Sequence, residues 1–328
     1  MRAKQLFDLL VKCFKLGLPA LLKSGPGFGK TDIVKQAARA AGFRVMVMHP
    51  VVSDPCDFKG QPAIVKGKAE FLPYGDLREL IEATEPTIAF LDDLGQAPAV
   101  VQAAAMQLIL ARRVNGHEIS DKVVFVAATN RREDRAGVTG ILEPVKSRFA
   151  TIIELEVNVD DWCTWAFQNN VPSELIAFIR FRPQLLATGA ATADIVNHPC
   201  PRTVTFLGRL YAGGIKGIEE LSGAVGQGFA SEFLGFVRVW ESLPSIDGIL
   251  LDPEAAKVPT EIAALYAIAT GLALRTTASN AYRVMRYAKR LPPEYGVLCV
   301  RDAMRVCPAI QNCSEFIAWA VEHQDILV

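Results

Sequence analysis

The chain has 328 residues, 51% of them hydrophobic and 21% charged, which is enough apolar material for about two folded domains and excludes a disordered regulator. Lys plus Arg equals Asp plus Glu at 35 each, so the formal net charge is zero. That balance argues against nucleic-acid binding through bulk positive charge and leaves open only a local basic channel.

In chain order, MRAKQLFDLLVKCFKLG breaks its apolar residues with Asp8, Lys12 and Lys15 at helical spacing and has no A-x-A site, so it predicts a helix rather than a secretory signal. Residues 18–23 form a short apolar strand that runs into the glycine cluster SGPGFGKT. TDIVKQAARAAG then reads as an amphipathic helix with Ile33, Val34, Ala37, Ala38 and Ala41 on one side and Gly42 as its stop. The continuous apolar run at 43–48 predicts a strand buried on both faces, and 87–93 and 123–130 are two more such runs. Helices are expected at 76–83 and 100–111, and TIIELEV at 151–157 reads as a fifth strand near a sheet edge. Strands alternating with helices imply crossover connections, hence a mostly parallel α/β sheet. Its ligand crevice should lie beyond the carboxyl ends of the strands, where Lys30/Thr31, Asp92/Asp93 and Asn130 fall.

After about residue 157 the strand signal stops. DDWCTWAFQN, SELIAFIRF, RTVTFLGRLYAG, SEFLGFVRVWESL and TEIAALYAIATGLALR all carry helical periodicity, with Gly and Pro between them. The expected organisation is an α/β nucleotide-binding domain at 1–157, a helical lid at 158–241 and a helical C-terminal extension at 245–328, with a seam at 242–248. The longest uncharged apolar stretch, Ile262–Leu274, is shorter than the roughly 18 residues a membrane span needs. The cysteines (13, 56, 163, 200, 299, 307 and 313) contain no C-x-x-C pair and the histidines no metal-ligand spacing, so the thiols are expected to be idle in a reducing, cytoplasmic compartment, without structural zinc.

The strongest chemical signal is Gly27-Phe28-Gly29-Lys30-Thr31 between a buried strand and a helix. Backbone N–H groups of such a loop can cradle a triphosphate, with Ser24, Gly25, Gly27, Phe28 and Gly29 shaping it. Lys30 would reach the β- and γ-phosphates and the Thr31 hydroxyl would ligate Mg²⁺. Ser24 stands where the first glycine of such a loop usually lies. Asp92 and Asp93 end an apolar strand: the first suits the metal's water shell and the second could polarise the attacking water, a task more often given to glutamate. Asn130 suits a sensor of the γ-phosphate. Alone, two acids ending a strand are a solvated terminus and an Asn is a turn former; together with the loop they make a set.

SGPGFGKT, FLDD, AATN, Ser147-Arg148-Phe149 and Pro201-Arg202-Thr203 stand in the order and spacing of an AAA+ ATPase, and the chain resembles the MoxR-like branch from residue 18 to about 240. The helical stretch 223–239 and the PRT triplet look like the lid of that branch. The resemblance implies a P-loop parallel sheet of the AAA+ type, ATP and Mg²⁺ as ligands, and ATP hydrolysis. Lys30 and Thr31 match Walker A, Asp92 and Asp93 match Walker B with Asp-Asp in place of Asp-Glu, and Asn130 matches sensor 1. Arg148 matches the arginine finger given to a neighbouring subunit and Arg202 matches sensor 2. A homo-oligomeric ring is implied, commonly a hexamer, that remodels or activates a client protein, often with a partner bearing a von Willebrand factor A domain.

Two turns, at Lys66-Gly67 and Asn115-Gly116, predict hairpins, either pore- or substrate-facing as in related rings or plain solvent loops. TNRREDR, with Arg131, Arg132 and Arg135, could join a subunit-interface charge network or be a solvated loop, and the basic helix RVMRYAKR most simply presents an exposed face. Two other functions fit the same residues. One is a nucleotide-gated binding module with little turnover, motivated by Asp93; the other is a nucleic-acid-associated ATPase, which zero net charge disfavours.

Overall fold

The apolar runs and amphipathic helices of the first half form, in the computed structural model of the chain, a parallel sheet between helical layers within the unit Met1–Asn158; Val159–Val328 forms a second unit. The structure describes residues 1–134, 137, 140–188 and 194–323. The first unit runs α1 (Ala3–Lys15), β1 (Ala20–Ser24), α2 (Lys30–Ala41), β2 (Arg44–Met48), α3 (Pro55–Lys59), β3 (Gln61–Val65), β4 (Lys68–Leu72), α4 (Gly75–Ile81) and β5 (Thr87–Leu91). It continues through α5 (Ala99–Ala111), β6 (Arg113–Val114), β7 (His117–Glu118), β8 (Val123–Asn130), α6 (Glu143–Lys146) and β9 (Thr151–Glu154).

Among the described residues the main sheet has five parallel strands in the order β2-β5-β8-β1-β9. Successive side chains on a strand point to opposite faces, so a run apolar at every position can serve two cores. Leu21, Ala89, Leu91, Val123, Phe125 and Ala127 pack with Leu77 and Leu80 of α4 and Val101 and Leu108 of α5. Ala20, Leu22, Ile88, Phe90, Val124, Val126 and Ala128 face the other way, onto Leu6 and Leu10 of α1 and Val34 and Ala37 of α2. Each buried Leu or Phe contributes about 1.5–3 kcal/mol. The expectation that 43–48 is buried on both faces is corrected: β2 is an outer strand flanked by β5 alone, and Arg44 is exposed. The other edge is β9, as its mixed apolar and acidic pattern predicts.

Both predicted hairpins form. Lys66 (φ 50°) and Gly67 (φ 79°) turn β3 into β4, and Asn115 (φ 46°) and Gly116 (φ 87°) turn β6 into β7, the left-handed pairs that a two-residue hairpin turn requires. The second hairpin docks on the segment carrying the first: Asn115 Nδ2 donates to Lys59 O at 2.7 Å, and His117 Nε2 lies 3.2 Å from Phe71 O. Every residue of β4 is exposed, as is Ile64 of β3.

The second unit is helical among its described residues: α7 (Val159–Gln168), α8 (Ser173–Phe181), α9 (Pro201–Ala212), α10 (Ile218–Val225), α11 (Gln227–Glu241), α12 (Ile246–Leu251), α13 (Ile262–Leu274), α14 (Ala281–Ala288), α15 (Pro293–Val306) and α16 (Ser314–Glu322). Phe178 of α8 takes the rings of Phe229, Phe233 and Phe236 of α11 at 5.3, 5.6 and 5.6 Å. The apolar stretch Ile262–Leu274 is a core helix, α13, packed against α8 and α15. No helix of the described residues is long and apolar enough to cross a membrane. The stretch 223–239, read as one helical segment, is two helices parted at Gly226, whose φ of 83° breaks the ladder. Within 242–248, Ser245 starts α12, its hydroxyl accepting from Gly248 N at 3.0 Å.

Candidate functional site

Parallel pairing of β1, β8 and β5 brings three polar strand ends together: Ser24 is registered with Asn130, and Leu91, just before Asp92, with Ala127. Beyond Ser24 the chain turns through residues 25–29 into α2. Gly27 (φ 76°) and Gly29 (φ 91°) take left-handed conformations that side chains resist, so the loop can enter the helix with its first amides unpaired. A Cβ at Gly25 would stand 2.8 Å from the Phe28 ring, which folds back beneath the loop, and the guanidinium of Arg131 covers that ring at 5.8 Å.

Lys30 is only 7% exposed, and its Nζ donates to Asn130 Oδ1 at 2.6 Å, Ser24 Oγ at 3.1 Å and Gly25 O at 3.3 Å. Ser24 therefore does more than open the turn: its buried hydroxyl accepts from Lys30 and donates to Gly25 O at 2.9 Å. Thr31 Oγ1 donates to Asp92 Oδ2 at 2.7 Å. That hydroxyl and carboxylate are hard oxygen donors suited to Mg²⁺, which takes one or two protein oxygens and completes its shell with phosphate and water. Among the described residues no group of three His, Cys, Asp or Glu side chains could hold a metal, so those outer ligands would be needed. The residues present fit a magnesium–nucleotide complex.

Asp93 follows in a left-handed conformation (φ 58°, ψ 34°) that Asp tolerates better than most side chains. Its Oδ1 accepts from Gln96 Nε2 at 2.8 Å and from Asn130 Nδ2 at 3.3 Å. A carboxylate only accepts, so both amides must turn their NH₂ groups toward it. Asn130 then links the Lys30 ammonium to the Asp93 carboxylate through its two ends.

Gln96 is the residue that sequence reasoning passed over. It closes the 3-10 turn Leu94–Gln96, in which Gln96 N donates to Asp93 O at 3.0 Å. The signal in the sequence is the spacing of three from Asp93 combined with Gly95. A Cβ at Gly95 would fall 2.1 Å from Thr129 Oγ1, so only glycine lets this turn lie against the end of β8.

Arg131 continues β8 and anchors the rim. It donates to both oxygens of Asp134 (3.0 and 2.9 Å) and lies 3.5 Å from Glu154. The Asp134 hydrogen bonds hold the Arg131 guanidinium charged above its ordinary range. Lys23 first, then Arg131, hold Glu154 below the usual carboxylate value. Arg135 and the side chain of Arg132 lie outside the described residues.

Arg148 is not brought to this loop. It precedes β9, where Ala150 N bonds Pro19 O and Thr151 pairs with Ala20, at the amino end of β1. The phosphate loop leaves the other end of that strand, roughly 13 Å away at strand rise. Arg148 Nη1 donates to Pro144 O, and its Nε is buried with no acceptor among the described residues. Arg202 is exposed in the first turn of α9, in the second unit.

Residues 19–149 match the family model of the AAA domain (dynein-related subfamily). These residues have a parallel-sheet P-loop fold of the AAA+ type. Among solved structures, one RuvB from Thermotoga maritima is 14% identical over 88% of this chain and 86% of that chain, with a TM-score of 0.40. A second is 15% identical over 82% and 80%, with a TM-score of 0.42. A third, described as a Holliday junction branch migration motor, is 13% identical over 98% and 86%, with a TM-score of 0.36. No curated protein matches the chain.

Proposed function

We propose that the chain is a magnesium-dependent ATPase of the MoxR-like branch, acting as a homo-oligomeric cytoplasmic ring, a hexamer, that remodels or activates a client protein with a partner bearing a von Willebrand factor A domain. The observation that carries the hydrolytic reading is the joined set Thr31–Asp92 and Lys30–Asn130–Asp93 at three neighbouring strand ends. In it the loop amides and Lys30 take the β- and γ-phosphates, which replace Ser24 Oγ and Gly25 O as partners of the ammonium. Thr31 and Asp92 are the residues that would hold Mg²⁺, which supplies charge neutralisation on the phosphates when bound. Asp93 accepts a proton from the attacking water, and Asn130 holds that water and the γ-phosphate in line.

The place of Arg148 supports assembly. A guanidinium at the far end of β1 cannot reach its own chain's loop, whereas a neighbour in a ring can use it on the transition-state charge. Arg202 reports nucleotide state from the helical unit in this reading. The docked hairpins, with Ile64, Phe71 and Leu72 exposed, offer an apolar surface to a client.

Calorimetry with Mg–ATP should show binding that Lys30→Ala abolishes, and native mass should rise when nucleotide is added. Lys30→Ala and Arg148→Ala proteins should each be inactive, yet regain turnover when mixed, because a mixed ring contains some junctions with both residues intact. Failure of mixing to restore any activity would remove the role in trans. The shorter Asp93 favours a second reading, a nucleotide-gated binding module; binding without steady-state turnover by assembled protein would select it.

A further inference from the structure

We propose that Gln96 is a positioning residue for hydrolysis, one that fits this chain's aspartate to a task that needs longer reach. The inference rests on the ATPase reading above and deepens it. A carboxyl group one methylene shorter than glutamate's must be brought forward by its backbone and held in one rotamer if it is to meet the same water.

The structure holds both devices. The left-handed φ of 58° at Asp93 re-aims the side chain, and the turn Leu94–Gln96 folds back so that Gln96 Nε2 lies 2.8 Å from Asp93 Oδ1. Asn130 Nδ2 approaches the same oxygen at 3.3 Å. With both amides on Oδ1, the carboxylate is fixed in plane, and among the described residues Oδ2 accepts no hydrogen bond. Oδ2 is thus the oxygen that serves as base: it takes one proton from water as the water oxygen bonds to the γ-phosphorus and the β–γ bridging P–O bond breaks, giving ADP and phosphate.

A second observation is an acceptor left open beside this carboxylate. Gln96 Oε1 is buried and accepts no hydrogen bond among the described residues. An unsatisfied buried acceptor costs about 1–3 kcal/mol, and this one stands beside the Asp93 carboxylate, where a water can complete it. The amide that donates to Asp93 can accept, through Oε1, the water's remaining O–H. Gly95 secures the arrangement, since any Cβ there would collide with Thr129 beside Asn130.

The test uses the full chain under assembling conditions, comparing wild type with Gln96→Ala and Gln96→Glu. For Gln96→Ala we expect kcat to fall about tenfold or more with KM unchanged within twofold, since the interaction acts on the base and not on the phosphates. Affinity for ADP–aluminium fluoride should fall by a similar factor while affinity for ADP holds. Gln96→Glu is similar in size but sets a carboxylate against Asp93 Oδ1, so kcat should fall at least as far while KM stays within twofold, a split that a merely structural residue would not cause. Where Gln96→Ala does not fold, the kcat and ADP–aluminium fluoride affinity of Gln96→Glu decide alone. Wild-type turnover that Gln96→Ala or, where that variant does not fold, Gln96→Glu leaves within twofold would overturn the inference and spare the ATPase reading. Nucleotide binding without wild-type turnover overturns both.

Discussion

The molecule contains two networks of bonded charge, and they end differently. In the helical unit Arg180 Nη2 stands 2.8 and 2.7 Å from the two oxygens of Asp302, and Arg305 Nη1 reaches the same carboxylate at 3.1 Å. Arg180 Nη1 and Arg301 Nη2 converge on Asp160 at 3.3 and 2.9 Å, so α7, α8 and α15 are clasped by five side chains. Each of these carboxylates meets two guanidiniums; the Nε atoms of Arg180 and Arg301 and Asp302 Oδ2 make no hydrogen bond, but that oxygen lies 2.7 Å from Arg180 Nη2 in an ion pair. In the α/β unit, among the described residues, Asp93 Oδ2 accepts no hydrogen bond and neither does the buried Gln96 Oε1, at the rim of a sheet. Charges that pair with one another across three helices hold those helices together. A set with an open carboxylate oxygen and an open amide acceptor at strand ends has room for a further partner.

That distinction predicts opposite readouts. Asp302 is fully buried, and burial pushes its carboxyl up against the pull of Arg180, Arg305 and Arg301, so its charge is expensive to keep. Arg180→Ala should therefore cost about 3–5 kcal/mol of stability by urea unfolding, the penalty for stranding a buried charge. A loss under about 1 kcal/mol would show the clasp to be solvated and erase the contrast. Asp93→Asn should do the reverse: turnover falls on the order of 10²-fold while the urea midpoint and ADP affinity stay within error. A large loss of stability in that variant would make Asp93 a structural residue like Asp302.

The same contrast explains what could be read from the chain. The phosphate loop, Asp92, Asp93 and Asn130 were legible because each is a short polar signal at the end of an apolar run, and parallel pairing then had to bring those ends side by side. The hairpin turns were legible from Lys66-Gly67 and Asn115-Gly116, because few residues accept two left-handed conformations in succession. Gln96 was hidden because its partner is three residues away in an irregular turn with no periodicity, and GQAP reads as punctuation. The outer position of β2 was hidden because apolar content reports burial in general and not strand order. Arg180 and Asp302 were hidden for a related reason: they lie 122 residues apart, and a lone charge inside an apolar helix has no local signature of its partner.

A smaller effect tests whether the open network depends on close backbone packing. Gly95→Ala would place a methyl on Thr129, and relieving that overlap should cost about 1–3 kcal/mol, as overpacking does. Because the displaced turn carries Gln96, kcat should fall together with stability, and Thr129→Ala should restore part of both by making room. If Gly95→Ala loses stability but keeps full turnover, the turn positions nothing, and the α/β network is as purely structural as its helical counterpart.

The smallest effect concerns the rim beneath the loop, where Glu154 joins Lys23 at 2.8 Å and Arg131 at 3.5 Å. Lys23's hydrogen bond, and then Arg131, lower the Glu154 carboxyl from its ordinary 4.5. The folded value lies below the unfolded one, so as acid is added the unfolded chain takes up its proton first. The stability this carboxylate contributes is whole above the ordinary value and drains away as pH falls through the folded one. Partial exposure and salt keep it small. Glu154→Gln should therefore lower the urea midpoint slightly at pH 7, with the difference from wild type shrinking below about pH 4.5 and in high salt. An acid-independent difference would mean that Glu154 acts by packing alone, and that Arg131 is held over the Phe28 ring by Asp134 without its help.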